Sequence, residues 1–128
     1  MALDFFALGI RLWTPPEHFA ATADFYLHAL ELQQSFRDDA QGIATFELGF
    51  APATLVVERS ERTPERAVLF GRFTGVVLHT LDVAAAYAQL TERGARFDGP
   101  PTRQPWGATM AFFRDPAGNE LTLLQRPG

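Results

Sequence analysis

One arrangement of apolar residues is written twice in this chain, and that repeat limits its fold more than any other feature. Leu8, Ile10 and Leu12 alternate with Ala7, Gly9 and Arg11, the period-two signature of a strand with one buried face. Val76 and Leu78 alternate with Gly75, Val77 and His79 in the same way, 68 positions later. A unit with one apolar face cannot bury it alone, so the two copies are expected to pack together.

A helix is expected after each of these strands. Thr14-Pro15-Pro16-Glu17 reads as a capping box, with Thr14 accepting from a free amide and Glu17 reaching back. Phe19, Ala23, Tyr26, Leu27 and Leu30 then fall on one helical face. In the second copy Asp82 is the expected N-cap, Val83, Ala86, Tyr87 and Leu90 form the stripe, and Gly94 ends the helix.

Two further strands joined by a turn close each copy. Ile43 to Leu48 and Thr54 to Glu58 flank Gly49-Phe50-Ala51-Pro52. Thr109 to Phe113 and Leu121 to Gln125 flank Asp115-Pro116-Ala117-Gly118-Asn119, where Asp before Pro opens a turn and Gly118 accepts a positive φ. Short strands near Leu32 to Phe36 and Ala95 to Asp98 complete the units. The expected architecture is α+β: two tandem βαβββ modules, 5–59 and 75–126, joined by a connector at 60–74. They are expected to form one curved mixed sheet with the helices outside.

The composition fits a globular domain, with 47% hydrophobic and 20% charged residues. No apolar run reaches the roughly 18 residues of a membrane span. The net charge of −4 and the absence of a basic stripe argue against a nucleic-acid partner. There is no cysteine, which removes disulfides and thiolate chemistry. Met1-Ala2-Leu3-Asp4 lacks the basic start of a signal peptide, and a cytoplasmic protein is expected. Neither a phosphate-cradling glycine run nor a serine in a nucleophile elbow is present.

Phe113-Arg114-Asp115-Pro116-Ala117-Gly118-Asn119-Glu120-Leu121 resembles the Asp-Pro-x-Gly-Asn segment near the end of vicinal oxygen chelate proteins. That superfamily comprises glyoxalases, bleomycin-resistance proteins and extradiol dioxygenases. Phe25-Tyr26 followed by Leu30-Glu31-Leu32 resembles its first helix and exit, and Leu81 to Leu90 its second helix entry. The resemblance covers nearly the whole chain. It implies a cup on the concave face of the sheet, a tendency to form homodimers, and, in metal-dependent members, a divalent ion held by two ligands from each half.

Carried over one by one, those ligand positions fall on Ala7, Val56, Gly75 and Thr122, none of which supplies an imidazole or carboxylate. Neither a metal nor another cofactor is therefore expected. A shifted register could instead offer Glu58 and His79, two donors without a third.

The remaining candidates are ligand-binding residues. Arg11 and His79 occupy equivalent positions of the two first strands and are expected to point into one cavity, joined by Trp13 and Glu58. Arg11 would anchor an anionic or carbonyl group and His79 would act as donor, acceptor or base; alternatively both sit at solvated strand ends. Trp106, between Pro105 and Gly107, either covers an apolar ligand or pins its loop to the core. His18 and His28 read as exposed helix positions, Phe5 and Phe6 as covering the sheet or a partner chain, and Glu47 with Glu58 as no acid/base pair.

The expected function is metal-free binding of a small, partly aromatic organic molecule. The alternatives are an enzyme of the same superfamily, either a metal-dependent lyase, isomerase or dioxygenase or a metal-free catalyst using Arg11 and His79, and an interaction module with a vestigial cup.

Overall fold

A computed structural model describes residues 3–49 and 53–128. The doubled pattern folds as two mixed sheets. The first half provides β1 (Leu8–Thr14), β2 (Gln33–Asp38), β3 (Ile43–Leu48) and β4 (Ala53–Arg59), in the order β1-β4-β3-β2. The second half provides β5 (Phe73–His79), β6 (Arg96–Phe97), β7 (Thr102–Arg103), β8 (Thr109–Arg114) and β9 (Glu120–Gln125), in the order β5-β9-β8-β6 with β7 on the flank of β8. In each half the first strand runs parallel to the last, and the remaining pairs are antiparallel.

The sheets are separate hydrogen-bonded units and not one continuous sheet. Strands β1 and β5 are both edges, and a cavity of about 320 Å³ lies between them, lined by Ile10 on one side and Val76 to His79 on the other. Strand β5 is itself irregular. Its register to β9 shifts between Phe73 and Val77, around Gly75 at φ 77°. Thr74 fills the irregularity by donating to the Glu120 carbonyl and accepting from the Val76 amide.

One core nevertheless serves both halves. Tyr26, Phe46, Leu55, Val57, Phe113 and Leu121 are all at most 2% exposed. The Phe25 ring lies 6.2 Å from Phe113 of β8, so the first helix touches the second sheet. Arg93, after the second helix, donates to the Ala29 carbonyl at 2.7 Å and pairs with Glu31.

The helical segments follow the expected stripes with two departures. Helix α2 (Val83–Glu92) is capped as expected: the Asp82 side chain accepts from the Ala85 amide at 3.0 Å, and Gly94 follows it at φ 93°. The capping box at Thr14 does not form. Thr14 is the last residue of β1, its carbonyl accepts from the Ser60 amide, and its buried hydroxyl has no partner among the described residues. Glu17 turns to Arg62 instead.

The first helix begins as a 3-10 turn (Pro16–His18), becomes α1 (Phe19–Asp24) and widens to a π segment (Phe25–Ala29). The widening rotates the last turn, which leaves Leu27 and Leu30 only half-buried, and the chain exits through Glu31 at φ 55°. Of the expected Gly49 turn, Gly49 has φ 72° and residues 50–52 lie outside the described residues. No helix among the described residues is long and apolar enough to cross a membrane.

Candidate functional site

Alternation along each strand of the first sheet sends one set of side chains to the core and the other to an open face. Leu12, Ala44, Phe46, Leu55 and Val57 are buried on the helix side. The register then fixes three rows across the opposite face: Gly9–Thr54–Glu47–Gln33, Arg11–Val56–Thr45–Phe36 and Trp13–Glu58–Ile43–Asp38. Every member of these rows is at least partly exposed.

Three of the expected site residues meet here. Arg11 donates to both oxygens of Glu58, through Nη2 at 2.9 and 3.0 Å and through Nε at 3.2 Å. Its guanidinium stands 4.6 Å from the centre of the Trp13 ring. The fork geometry fixes both charged groups, and the ring face supports the cation from behind. The pair remains open to solvent, with side-chain exposures of 58% for Arg11 and 25% for Glu58.

A second polar cluster on the same face is new relative to the sequence reading. A bulge in β2 between Gln34 and Phe36 turns Ser35 toward this side. Its hydroxyl lies 2.7 Å from Oγ1 of Thr45 and 2.7 Å from Oε2 of Glu47. Thr54 donates to the other oxygen, Oε1, at 2.8 Å. These two donors hold the Glu47 carboxyl below its ordinary range. The alternation Ala44, Phe46 inward and Thr45, Glu47 outward was visible in the sequence; the bulge that delivers Ser35 and Phe36 was not.

His79 and Trp106 stand apart from this group. His79 is exposed at the end of β5, at the rim of the cavity between the two sheet edges. It also lines a second cavity of about 400 Å³ with Thr80, Leu81 and the terminal residues Gln125 to Gly128. Neither of these two cavities is lined by Arg11, which stands on the open face of the first sheet. Trp106 is 62% exposed in the turn that Gly107 closes by donating to the Gln104 carbonyl. His18 and His28 are exposed.

The second sheet presents a different face. Val77 pairs with Thr122 and that with Phe112; His79 pairs with Leu124 and that with Met110. This surface is mostly apolar, against the polar surface of the first sheet.

The residues present do not fit a divalent metal of the superfamily type. Val56 sits between Arg11 and Thr45, Thr122 is 2% exposed, Gly75 has no side chain, and Ala7 precedes β1. Among the described residues no three His, Asp or Glu side chains come close enough to hold an ion. The pair Glu58 and His79 gives no substitute, because Arg11 occupies both oxygens of Glu58.

Comparison with known proteins agrees with this architecture. The chain is similar to a crystal structure of a glyoxalase/bleomycin resistance protein/dioxygenase superfamily member from Sphaerobacter thermophilus, at 27% identity and TM-score 0.78, covering 96% of this chain and 98% of that one. It is similar to TnmS3, an antibiotic binding protein from Streptomyces sp. CB03234, at 28% identity and TM-score 0.71, with 98% of each chain covered. Lactoylglutathione lyase from Agrobacterium tumefaciens shares the fold at 20% identity and TM-score 0.71, over 92% of this chain and 91% of that one. None of the curated proteins matches the chain. The profile of one family matches residues 14–123, from the end of β1 through most of β9 and so across both halves. By that match and by the paired βαβββ sheets, the chain belongs to the Glyoxalase/Bleomycin resistance protein/Dioxygenase superfamily.

Proposed function

We propose that this protein binds a small, partly aromatic organic molecule without metal, on the open face of the first sheet. The observation that carries the reading is the arrangement of that face. Arg11 and Glu58 orient each other, as do Ser35 and Glu47, Trp13 and Phe36 supply ring surface, and no element among the described residues covers them. Such a surface combines aromatic area with a few fixed polar groups, as small-molecule recognition requires. The similarity to an antibiotic binding protein over nearly the full chain supports the same class of activity.

The protein acts as a cytoplasmic homodimer in this reading. Phe5 and Phe6, 87% and 92% exposed, together with Leu8 and Phe73, both 65%, form apolar surface beside the free edges of β1 and β5. A second copy covering them would remove both the apolar exposure and the unpaired edges. Domain limits of 5–59 and 75–126 fit this reading, with β5 opening at Phe73, slightly inside the expected connector.

The enzyme alternative draws less support. Arg11 is committed to Glu58, and His79 faces cavities that Arg11 does not reach.

The test joins metal analysis to ligand screening. Protein purified without chelator or histidine tag should carry under about a tenth of an equivalent of metal after exposure to Zn, Mn, Ni and Fe(II). A panel of aromatic small molecules should then raise its melting temperature. Near one tightly held equivalent of metal, or a panel that leaves the melting temperature unmoved, defeats the reading.

A further inference from the structure

We propose that Glu47 anchors a protonated amine, so that the molecule taken by the open face is an organic cation carried on an aromatic skeleton. This rests on the open face of the first sheet being the binding surface. Three carboxylates share that face. Glu58 is neutralised by Arg11, and Asp38 is spent on the turn after β2, where it accepts from the Ala40 and Gln41 amides. Glu47 has neither a cationic partner nor a turn amide on its side chain among the described residues, and it stands near the end of β3, an interior strand of the sheet.

The environment of Glu47 is built to orient the carboxylate without discharging it. Ser35 and Thr54 each donate to a different oxygen, at 2.7 and 2.8 Å. A carboxylate has about four acceptor sites, so roughly two remain directed away from the sheet. Hydroxyl donors hold the group in place and leave its full negative charge; an arginine in their position would have cancelled it. The sequence has 11 cationic side chains against 15 anionic ones, and none of the 11 reaches this point.

The neighbours suit a cation bearing a ring. Phe36 pairs with Thr45 and so lies on the diagonal from Glu47, a separation of about 7–8 Å that an aromatic side chain spans. It is 51% exposed on the edge strand β2, which leaves its ring open to a ligand. An ammonium on the free lone pairs of Glu47 would have the Phe36 ring beside it and the Gln33 amide across the strand pair. Arg11 offers no competing anion site, because both its Nη2 bonds end on Glu58.

The experiment uses three probes of one shape and different charge: 2-naphthylmethylamine, 2-naphthylmethanol and 2-naphthoate. Each is titrated into the full chain at neutral pH and followed by amide chemical shifts. The ammonium probe should bind about fivefold more tightly than the alcohol, the combined size of an exposed ion pair and a cation–ring contact. Its largest shifts should fall on Ser35, Phe36, Glu47 and Thr54.

Glu47→Gln, which keeps shape and removes charge, should erase the preference, bringing the ammonium probe to the affinity of the alcohol for the same variant. Ser35→Ala, which keeps the charge and frees the carboxylate, should reduce the preference without abolishing it. Equal binding of ammonium and alcohol, or a preference that survives Glu47→Gln, overturns the proposal and leaves the binding face standing. Failure of all three probes to shift any residue of the face overturns both.

Discussion

The Tyr26 hydroxyl donates to Oδ2 of Asp115 at 2.8 Å, across 89 residues of sequence and between the two halves of the molecule. Asp115 is fully buried and accepts from three further donors in its own turn. The Ala117 and Asn119 amides take Oδ1, both at 2.9 Å, and the Asn119 side chain takes Oδ2 at 3.0 Å. Asn119 also donates to the Trp13 carbonyl at 3.1 Å, so the β8–β9 turn holds the end of β1 as well as the first helix. The Asp-Pro-x-Gly-Asn turn is thus a clasp between halves whose sheets share no backbone ladder.

Tyr26→Phe should cost about 1–3 kcal/mol, because it removes one donor and leaves a buried carboxylate under-satisfied while packing is kept. Asp115→Ala should cost more, since it strands the Tyr26 hydroxyl, two amides and the Asn119 side chain at once. Urea denaturation monitored by tryptophan fluorescence measures both. A Tyr26→Phe protein as stable as wild type would mean that the clasp adds nothing beyond shape.

Burial pushes the Asp115 carboxyl above its ordinary range, and the donors from Asn119, Tyr26 and Ala117 pull it back only in part. A carboxyl raised in the folded state stabilises most fully below its unfolded pKa, and that contribution disappears as pH rises through the folded value. The stability of wild type relative to Asp115→Asn should therefore grow as pH falls through the raised folded value toward the ordinary carboxylate range. Paired denaturation curves across an acid pH series check the sign. A difference that shrinks on acidification would show that the donors outweigh the burial.

Glu17, Asp39 and Glu47 behave in the opposite sense. Arg62, Arg37 and the Ser35 and Thr54 hydroxyls, respectively, hold them low. Their contributions are present above the ordinary carboxylate pKa and are lost as pH falls through the lowered folded values. All three are surface groups, so the effect should be small and should weaken in salt for the two ion pairs. Thermal melts between pH 5 and 3, with and without added salt, would reveal it.

Much of the fold was legible because alternation and helical stripes report which face of an element is buried. Phe46 and Ala44 against Glu47 and Thr45, or Val83 and Leu90 on α2, are direct consequences of burial, and each falls as expected. Alternation says nothing about what an edge pairs with, which is why the division into two sheets, rather than one, is not legible in it. The Thr14 capping box fails to form for a related reason. A Thr-x-x-Glu pattern describes a free chain entering a helix, whereas Thr14 is still paired with Arg59 in the β1–β4 ladder. In the site, Arg11, Trp13 and Glu58 share parity and were recoverable. Ser35 and Phe36 were not, because a bulge inverts parity locally without any marker in the residues themselves.

Gly42 offers a test of the β2–β3 turn. It has φ 71°, and an added Cβ would lie 2.5 Å from Cβ of Arg59, whose guanidinium donates to the Asp39 and Ala40 carbonyls. Gly42→Ala therefore combines backbone strain with a clash against a side chain that ties the turn to β4. A loss of about 2–4 kcal/mol is expected. Gly49→Ala, with a similar φ of 72° but nothing among the described residues within 4 Å of the new Cβ, should cost about 1 kcal/mol. Equal losses at the two positions would show that the Arg59 contact is irrelevant.

Arg11 and Glu58 decide which charge the open face prefers. As an exposed pair they should add no more than about 1 kcal/mol to stability, so Glu58→Gln should unfold almost where wild type does. Its effect on recognition should be far larger than its effect on folding. With Glu58 neutral, the Arg11 guanidinium keeps its place against the Trp13 ring but loses the carboxylate that occupies its fork. That fork matches a carboxylate of a ligand as well as it matches Glu58. Glu58→Gln should therefore bind 2-naphthoate about tenfold more tightly than wild type does, while binding of 2-naphthylmethanol stays constant. The same titrations by amide chemical shift read both. If wild type already takes 2-naphthoate as tightly as the variant, Arg11 must leave Glu58 to meet an anion. The pair would then act as a gate for carboxylates, and the face would select anions despite its negative charge.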